Sequence, residues 1–144
     1  VYDDEDLLED FNDNLVVSRK LNVLIGNQKN VTMVDEVRNK IDAIVEKVEI
    51  VLEMFPDKVK FKLVLLEDED DVKKRNKSRR LNRRKLIAFS DAKTFDIIVS
   101  VDDINLKVFA HEVGHMVVES YFKVTPPVIT HELMAQFAAS RISN

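Results

Sequence analysis

The chain of 144 residues contains no cysteine and no tryptophan, and it has only 2 glycines and 3 prolines. The missing cysteine excludes disulfide scaffolds, thiolate metal sites and cysteine nucleophiles. The scarcity of glycine and proline excludes collagen-like and low-complexity architectures. Hydrophobic residues make up 45% and charged residues 33% of the chain, which is the composition of one globular domain with a hydrophobic core.

Long apolar runs are also missing. No stretch of the sequence reaches the ~18 apolar residues of a membrane span, and the acidic beginning does not resemble a secretory signal peptide. We therefore expect a cytoplasmic protein that does not enter a membrane. The formal net charge of -4 is too small to indicate a class of partner by itself.

Acidic residues dominate the beginning of the chain, where residues 1–14 contain no base at all. Such blocks are usually solvated, so residues 1–30 are interpreted as an acidic, flexible N-terminal extension of a domain that spans residues 31–144. Leu7, Leu8 and Phe11 leave a second interpretation open, a short acidic helix that docks on a basic partner. Residues 15–25 fit either a strand or a short helix.

Periodic patterns from residue 32 onward predict both helices and strands. Thr32 followed by Asp35 starts a helix over about 33–55, which Pro56 ends. Residues 58–66 alternate apolar side chains with lysines and predict a strand with one solvated face. Two further apolar runs, at 86–90 and 95–101, predict a hairpin. Helices are expected over about 104–122, capped by Asp102 or Asp103, and from about Thr130 to the end of the chain. This order of elements predicts an α+β fold.

Histidine is rare, and its placement is informative. Residues 111–115 have the sequence HEVGH, an H-E-x-x-H pattern within a predicted amphipathic helix. Residues four apart lie on the same helix face, so His111 and His115 can bind one metal ion. Glu112 lies near enough to take a proton from a water that this metal activates. The motif therefore predicts a metal site with Glu112 as the general base.

A catalytic zinc usually has three protein ligands and keeps one position for water. Glu119 lies on the same face of the helix, but about 12 Å along the axis from His111, and is therefore not expected to join the ligands. The candidates for the third ligand are His131 and Glu132, at the start of the next helix. Neighbouring helical residues point about 100° apart, so the residues themselves leave open which of the two it is.

These residues resemble the gluzincin-type zinc metallopeptidases, in which an H-E-x-x-H helix is completed by a glutamate on a following helix, and the compact layout is similar to the minigluzincins. Residues 132–139 also resemble the E-x-x-A-(N/Q)-x-F-A segment of small phage- and mobile-element-type peptidases. The resemblance covers roughly residues 58–144. It implies a zincin-like single domain with a long backing helix, a small mixed sheet, an active-site helix and a C-terminal helix.

The resemblance also implies roles for individual residues. His111, His115 and Glu132 would bind Zn2+, and Glu112 would be the general base of a peptidase that acts on a peptide or protein substrate. Strand Phe95–Val101 would be the sheet edge that pairs with the substrate. The residue that stabilises the oxyanion is not assigned, since the two tyrosines, at positions 2 and 121, match no motif.

A concentrated basic stretch over residues 73–85 supports an alternative function. Such a patch is typical of phosphate binding, so the chain could instead be a regulatory or binding module that contacts protein or nucleic acid. The stretch contains no aromatic residue, and stacking on single-stranded bases is therefore not supported. We expect a solvated loop here, and nucleic acid is the less favoured partner.

Overall fold

The computed structural model describes residues 5–17, 21, 32–76 and 86–143. These residues form an α+β structure of five helices and three strands. The helices are α1 (Glu5–Asn14), α2 (Met33–Leu52), α3 (Glu69–Arg75), α4 (Leu106–Tyr121) and α5 (Val128–Arg141), and the strands are β1 (Lys62–Leu66), β2 (Ala88–Asp91) and β3 (Asp96–Ser100). None of the described helices has the length and apolar character that crossing a membrane requires.

Helix α2 is the long backing helix that the sequence predicts. The Thr32 side chain accepts a hydrogen bond from the backbone N–H of Asp35 at 3.2 Å, as the capping pattern indicates. The helix ends before the expected Phe55, because Glu53 adopts a left-handed conformation with φ 54°. The N–H of Glu53 then bonds to carbonyls of the last turn and closes the helix.

The three strands form a mixed sheet in the order β1-β3-β2. Strand β1 is parallel to β3, and β2 is antiparallel to β3, which confirms the predicted hairpin. The expectation that Phe95–Val101 forms a sheet edge is wrong, since β3 has a partner strand on each side. The edge next to helix α4 belongs instead to β2, which packs against that helix.

Both faces of the sheet are covered. Helices α2 and α4 share the main core with one face, whereas Val72 of α3 packs against Val64 and Ile98 on the other face. The predicted solvated face is confirmed at Lys62, which is exposed, but it is wrong at Val64, which lies on the same face of β1 and is buried. The sequence pattern of the strand could not show that a short helix would follow and cover its second face.

Helix α3 lies where the sequence changes from acidic to basic. The Asp68 side chain caps it, acidic residues fill the first turn, and the basic residues Lys73, Lys74 and Arg75 fill the last turn. This arrangement complements the helix dipole at both ends, which favours helix over the loop that we expected for this part of the basic stretch. Residues 77–85 of the stretch lie outside the described residues.

The acidic segment forms helix α1 and belongs to the core. Leu7, Leu8 and Phe11 are buried, and the Phe11 ring packs edge-on against Phe109 with centroids 5.5 Å apart. The acids of the helix face solvent, so burial of the apolar face occurs without burial of charge. The expectation of a solvated segment is therefore wrong for residues 5–14. Residues 1–4, 18–20 and 22–31 lie outside the described residues, and so does most of the segment 15–25.

Candidate metal centre

Helix α4 carries the H-E-x-x-H motif. Its N-cap is Asn105, whose side chain accepts a hydrogen bond from the backbone N–H of Val108 at 3.0 Å. The expected caps, Asp102 and Asp103, are wrong, because the chain makes a further turn after β3 in which Asp103 accepts a bond of 2.7 Å from the Ser100 hydroxyl. The helix still spans the whole motif and continues to Tyr121.

Helix α5 begins earlier than the sequence suggests. It starts at Val128, directly after Pro127, and not at Thr130. Pro127 is the N-cap residue, and its missing N–H costs nothing there because the N-cap N–H takes no part in the hydrogen bonds of the helix. His131 and Glu132 consequently lie a turn further into the helix than a Thr130 cap would place them.

The structure brings His111, His115 and Glu132 together. The Nε2 atoms of the two histidines lie 3.2 Å apart. One oxygen of Glu132 lies 2.7 Å from Nε2 of His111, and the other lies 3.0 Å from Nε2 of His115. Their potential donor atoms all lie within 4.8 Å of one another. Donors on a tetrahedral zinc with bonds of ~2.0 Å are about 3.3 Å apart, so the two ring nitrogens already have the required spacing.

Electrostatics favours the neutral form of His115. Burial, together with the neighbouring His111 and His131, lowers the pKa of this imidazole to about 4, although Glu132 acts in the opposite direction. The ring is therefore uncharged at neutral pH. A neutral imidazole with a free lone pair is the form that binds a metal ion.

Glu112 is buried beside the two histidines, with 8% of its surface exposed. Burial raises the pKa of its carboxyl, whereas His111 and a hydrogen bond from the Ser90 side chain lower it. A carboxyl with a raised pKa is a better proton acceptor and a better donor near neutral pH than an ordinary one. Sequence reasoning missed Ser90, and the only signal for it is the hydroxyl that directly follows the apolar run 86–89.

A cavity of about 360 Å³ opens beside Glu112 and His111. One wall is formed by residues 86–88 at the start of edge strand β2, and apolar side chains dominate the lining. Lys107, from the first turn of α4, and Gln136, from α5, supply further polar groups. The cavity therefore connects the candidate general base with a strand edge that pairs with no other described strand.

His131 and Glu119 do not belong to the three candidate metal ligands. The His131 ring is buried, with Nδ1 2.7 Å from Nδ1 of His115 and Nε2 3.1 Å from a Glu119 oxygen. His131 thus approaches the nitrogen of His115 that points away from Glu132. The alternative in which His131 is the third ligand has no support in this geometry. Glu119 lies apart from the donors, as its distance along the helix predicts.

Gly114 allows the two helices of the site to approach each other closely. A Cβ atom at this position would lie 3.0 Å from Cα of Ala135 and 3.4 Å from its Cβ. The first of these atoms belongs to the backbone of α5, so a change of side-chain rotamer cannot relieve the contact. The glycine in the motif, together with small residues on α5, therefore brings Glu132 within reach of the histidines.

We expect Gly114→Ala to lower the free energy of unfolding by about 1 kcal/mol, because overpacking costs more than the gain in helix propensity. Zinc affinity should fall as well, since α5 must shift and carries Glu132. Thermal unfolding and chelator competition measure the two effects. A variant that is more stable than the wild type and binds zinc equally well would show that this contact does not set the helix spacing.

Tyr121 contributes nothing to the site. Its side chain is 47% exposed at the end of α4 and contacts the Phe122 ring. Tyr2 lies outside the described residues. The group that would stabilise an oxyanion is therefore not assigned within the part of the chain that the structure describes.

Comparisons with protein-family models, with curated proteins and with solved structures found no match to this chain. The resemblance to gluzincins accordingly stays a prediction, and the function is argued below from the geometry of the site.

Proposed function

We propose that this protein is a zinc-dependent metallopeptidase with a zincin-like fold. The observation that carries the proposal is the meeting of His111, His115 and Glu132 on two adjacent helices, beside a buried carboxyl that opens on a cavity. A chance cluster of surface histidines would not combine these features. Structural zinc sites have four protein ligands. The three candidate ligands of this site would leave the fourth position of the zinc for a water, as in catalytic sites.

The donor set fits zinc better than other common metals. Two imidazole nitrogens and one carboxylate oxygen are the ligands of catalytic zinc sites in hydrolases. Calcium and magnesium prefer an all-oxygen environment, which two histidines do not offer. The carboxylate also supplies a negative charge that partly balances the charge of the ion.

When bound, zinc lowers the pKa of a water and polarises the carbonyl of the scissile bond. Glu112 accepts the proton of the attacking water and then passes it to the leaving amine. Its burial suits both steps, because the raised pKa makes the protonated carboxyl easier to form and to use near neutral pH. The Ser90 hydroxyl holds the carboxylate in place between these steps.

The substrate is a peptide in an extended conformation. The outer edge of β2 offers backbone N–H and C=O groups to such a chain, as in other cases of strand addition. Residues 86–88 and 111–112 line the same cavity, so a side chain of the peptide can enter it while the backbone pairs with β2. The apolar lining favours an apolar side chain next to the cleaved bond.

The metal content of the purified protein is the first test. We expect about one zinc ion per chain after dialysis against trace zinc, measured by elemental analysis, and a loss of this zinc in His111→Ala. A protein that stays metal-free under these conditions, with both histidines of the motif titrating freely by NMR, would refute the proposal.

A further inference from the structure

Three side chains form a row of hydrogen bonds behind His115. Thr125, in the loop between α4 and α5, donates from its hydroxyl to one oxygen of Glu119 at 2.9 Å. The other Glu119 oxygen lies 3.1 Å from Nε2 of His131, and Nδ1 of His131 lies 2.7 Å from Nδ1 of His115. The row ends at the side of the His115 ring opposite to its Nε2 atom, which faces Glu132.

When a metal ion occupies Nε2 of His115, the Glu119 carboxylate determines the positions of the ring protons of His131 and His115. An ionised carboxylate only accepts, so Nε2 of His131 must carry the hydrogen. In a neutral imidazole, Nδ1 of His131 is then the acceptor, and Nδ1 of His115 must be the donor. The lone pair of His115 is thereby left on Nε2, which faces the candidate metal position.

Packing holds the row in one arrangement. The His131 side chain is 10% exposed and that of Glu119 is 17% exposed. The rings of His115 and His131 meet edge to edge through their Nδ1 atoms, with centroids 4.8 Å apart and planes inclined by 28°. Because Glu119 belongs to α4 and His131 to α5, the row also links the two helices that carry the candidate metal ligands.

We propose that His131 and Glu119 are positioning residues that fix the tautomer and orientation of His115 and so tighten zinc binding. The inference rests on the proposed function. Neither residue lines the cavity beside Glu112, so a direct contact with substrate is not part of their role. Loss of the hydrogen-bonded partner of a metal ligand typically costs 10- to 100-fold in metal affinity.

Two substitutions at position 131 separate a role in positioning from a role in packing. His131→Leu keeps a side chain of similar size but removes both the hydrogen-bond acceptor and the donor. His131→Asn retains an acceptor oxygen close to the position of Nδ1 but removes most of the ring. We expect zinc affinity, measured by competition with a fluorescent chelator, to fall about 10- to 100-fold in His131→Leu and to recover most of this loss in His131→Asn. If packing alone mattered, the order of the two variants would be reversed, and that result would overturn the proposal.

Glu119→Gln provides a second test with little risk to folding, because it changes only the charge and the donor capacity of the side chain. An amide can donate to His131 as well as accept, so the protons of the row are no longer fixed. Zinc affinity should fall here too, whereas the matched control Glu46→Gln, an exposed residue on α2, should bind like the wild type. Equal affinity in both variants would contradict a role for Glu119.

The zinc-free protein gives a readout that does not depend on the proposed function. Because Glu132 faces Nε2 of His115 when zinc is absent, the measurement uses a Glu132→Ala background. In this background, NMR of the imidazole nitrogens should show the proton of His115 on Nδ1 with His131 intact and in His131→Asn, and a mixture of tautomers in His131→Leu. A proton on Nε2 with His131 intact would overturn the positioning role. The expected tautomer here, together with a wild-type protein that has no affinity for zinc, would refute the proposed function and leave the hydrogen-bonded row in place.

Discussion

Glu112→Gln should slow hydrolysis strongly and leave zinc binding unchanged. The amide has nearly the shape of the carboxyl and still accepts the hydrogen bond from Ser90, but it cannot take a proton from water. General-base catalysis contributes about 100- to 10,000-fold to a rate, and we expect peptide cleavage to fall by an amount in this range. Parallel assays of peptide cleavage and zinc content on the same preparation measure the two effects.

The matched control for this variant is Glu46→Gln, the same chemical change at an exposed position on α2. It should cleave peptides at the wild-type rate. Cleavage by Glu112→Gln at that rate would show that another group is the base. Loss of zinc from Glu112→Gln would show that this residue supports the metal site. The variant would then no longer separate metal binding from catalysis.

Glu132→Ala should cause the largest loss of zinc affinity among single changes on helix α5. The carboxylate lies 2.7 Å and 3.0 Å from the two histidine nitrogens, so the variant removes one of three donors and the only negative charge among them. We expect a loss greater than the 10- to 100-fold typical of a residue that only supports a ligand. Titration with a competing chelator gives the order of the affinities.

His131→Ala is the informative comparison for this prediction, because the sequence leaves these two adjacent residues as competitors. It should weaken zinc binding less than Glu132→Ala does. His131 contacts Nδ1 of His115, whereas the atom of His115 that would bind the metal is Nε2. A greater loss in His131→Ala would assign the role of the third ligand to the histidine. Circular dichroism at low temperature checks that both variants are folded.

Much of the fold could be predicted because local patterns determine it. The start of α2 depends on the Thr32 cap, and the hairpin of β2 and β3 depends on two apolar runs joined by a short turn. The order of strands could not be predicted, since the parallel pairing of β1 with β3 joins segments far apart in the chain. The burial of α1 was missed for the same reason, because it depends on partners such as Phe109 that its own sequence does not specify.

The candidate site was easier to predict where its residues lie on one helix. Helical spacing alone places His111 and His115 together and puts Glu112 beside them. Glu132 could be selected only as one of two neighbours, because the packing angle of α5 on α4 decides which of them reaches the donor group. That angle depends on the close contact of Gly114 with Ala135, which is a tertiary contact and has no signature in the spacing of the histidines.

Peptide cleavage by the purified protein, followed by mass spectrometry on a mixed peptide library, tests the central claim most directly. We expect cleavage that a zinc chelator stops and that added zinc restores, with a preference for apolar side chains next to the cleaved bond. Glu112→Gln loaded with zinc should leave the library intact. An intact library after incubation with the zinc-loaded wild type, or cleavage that continues after complete removal of the metal, would contradict the account.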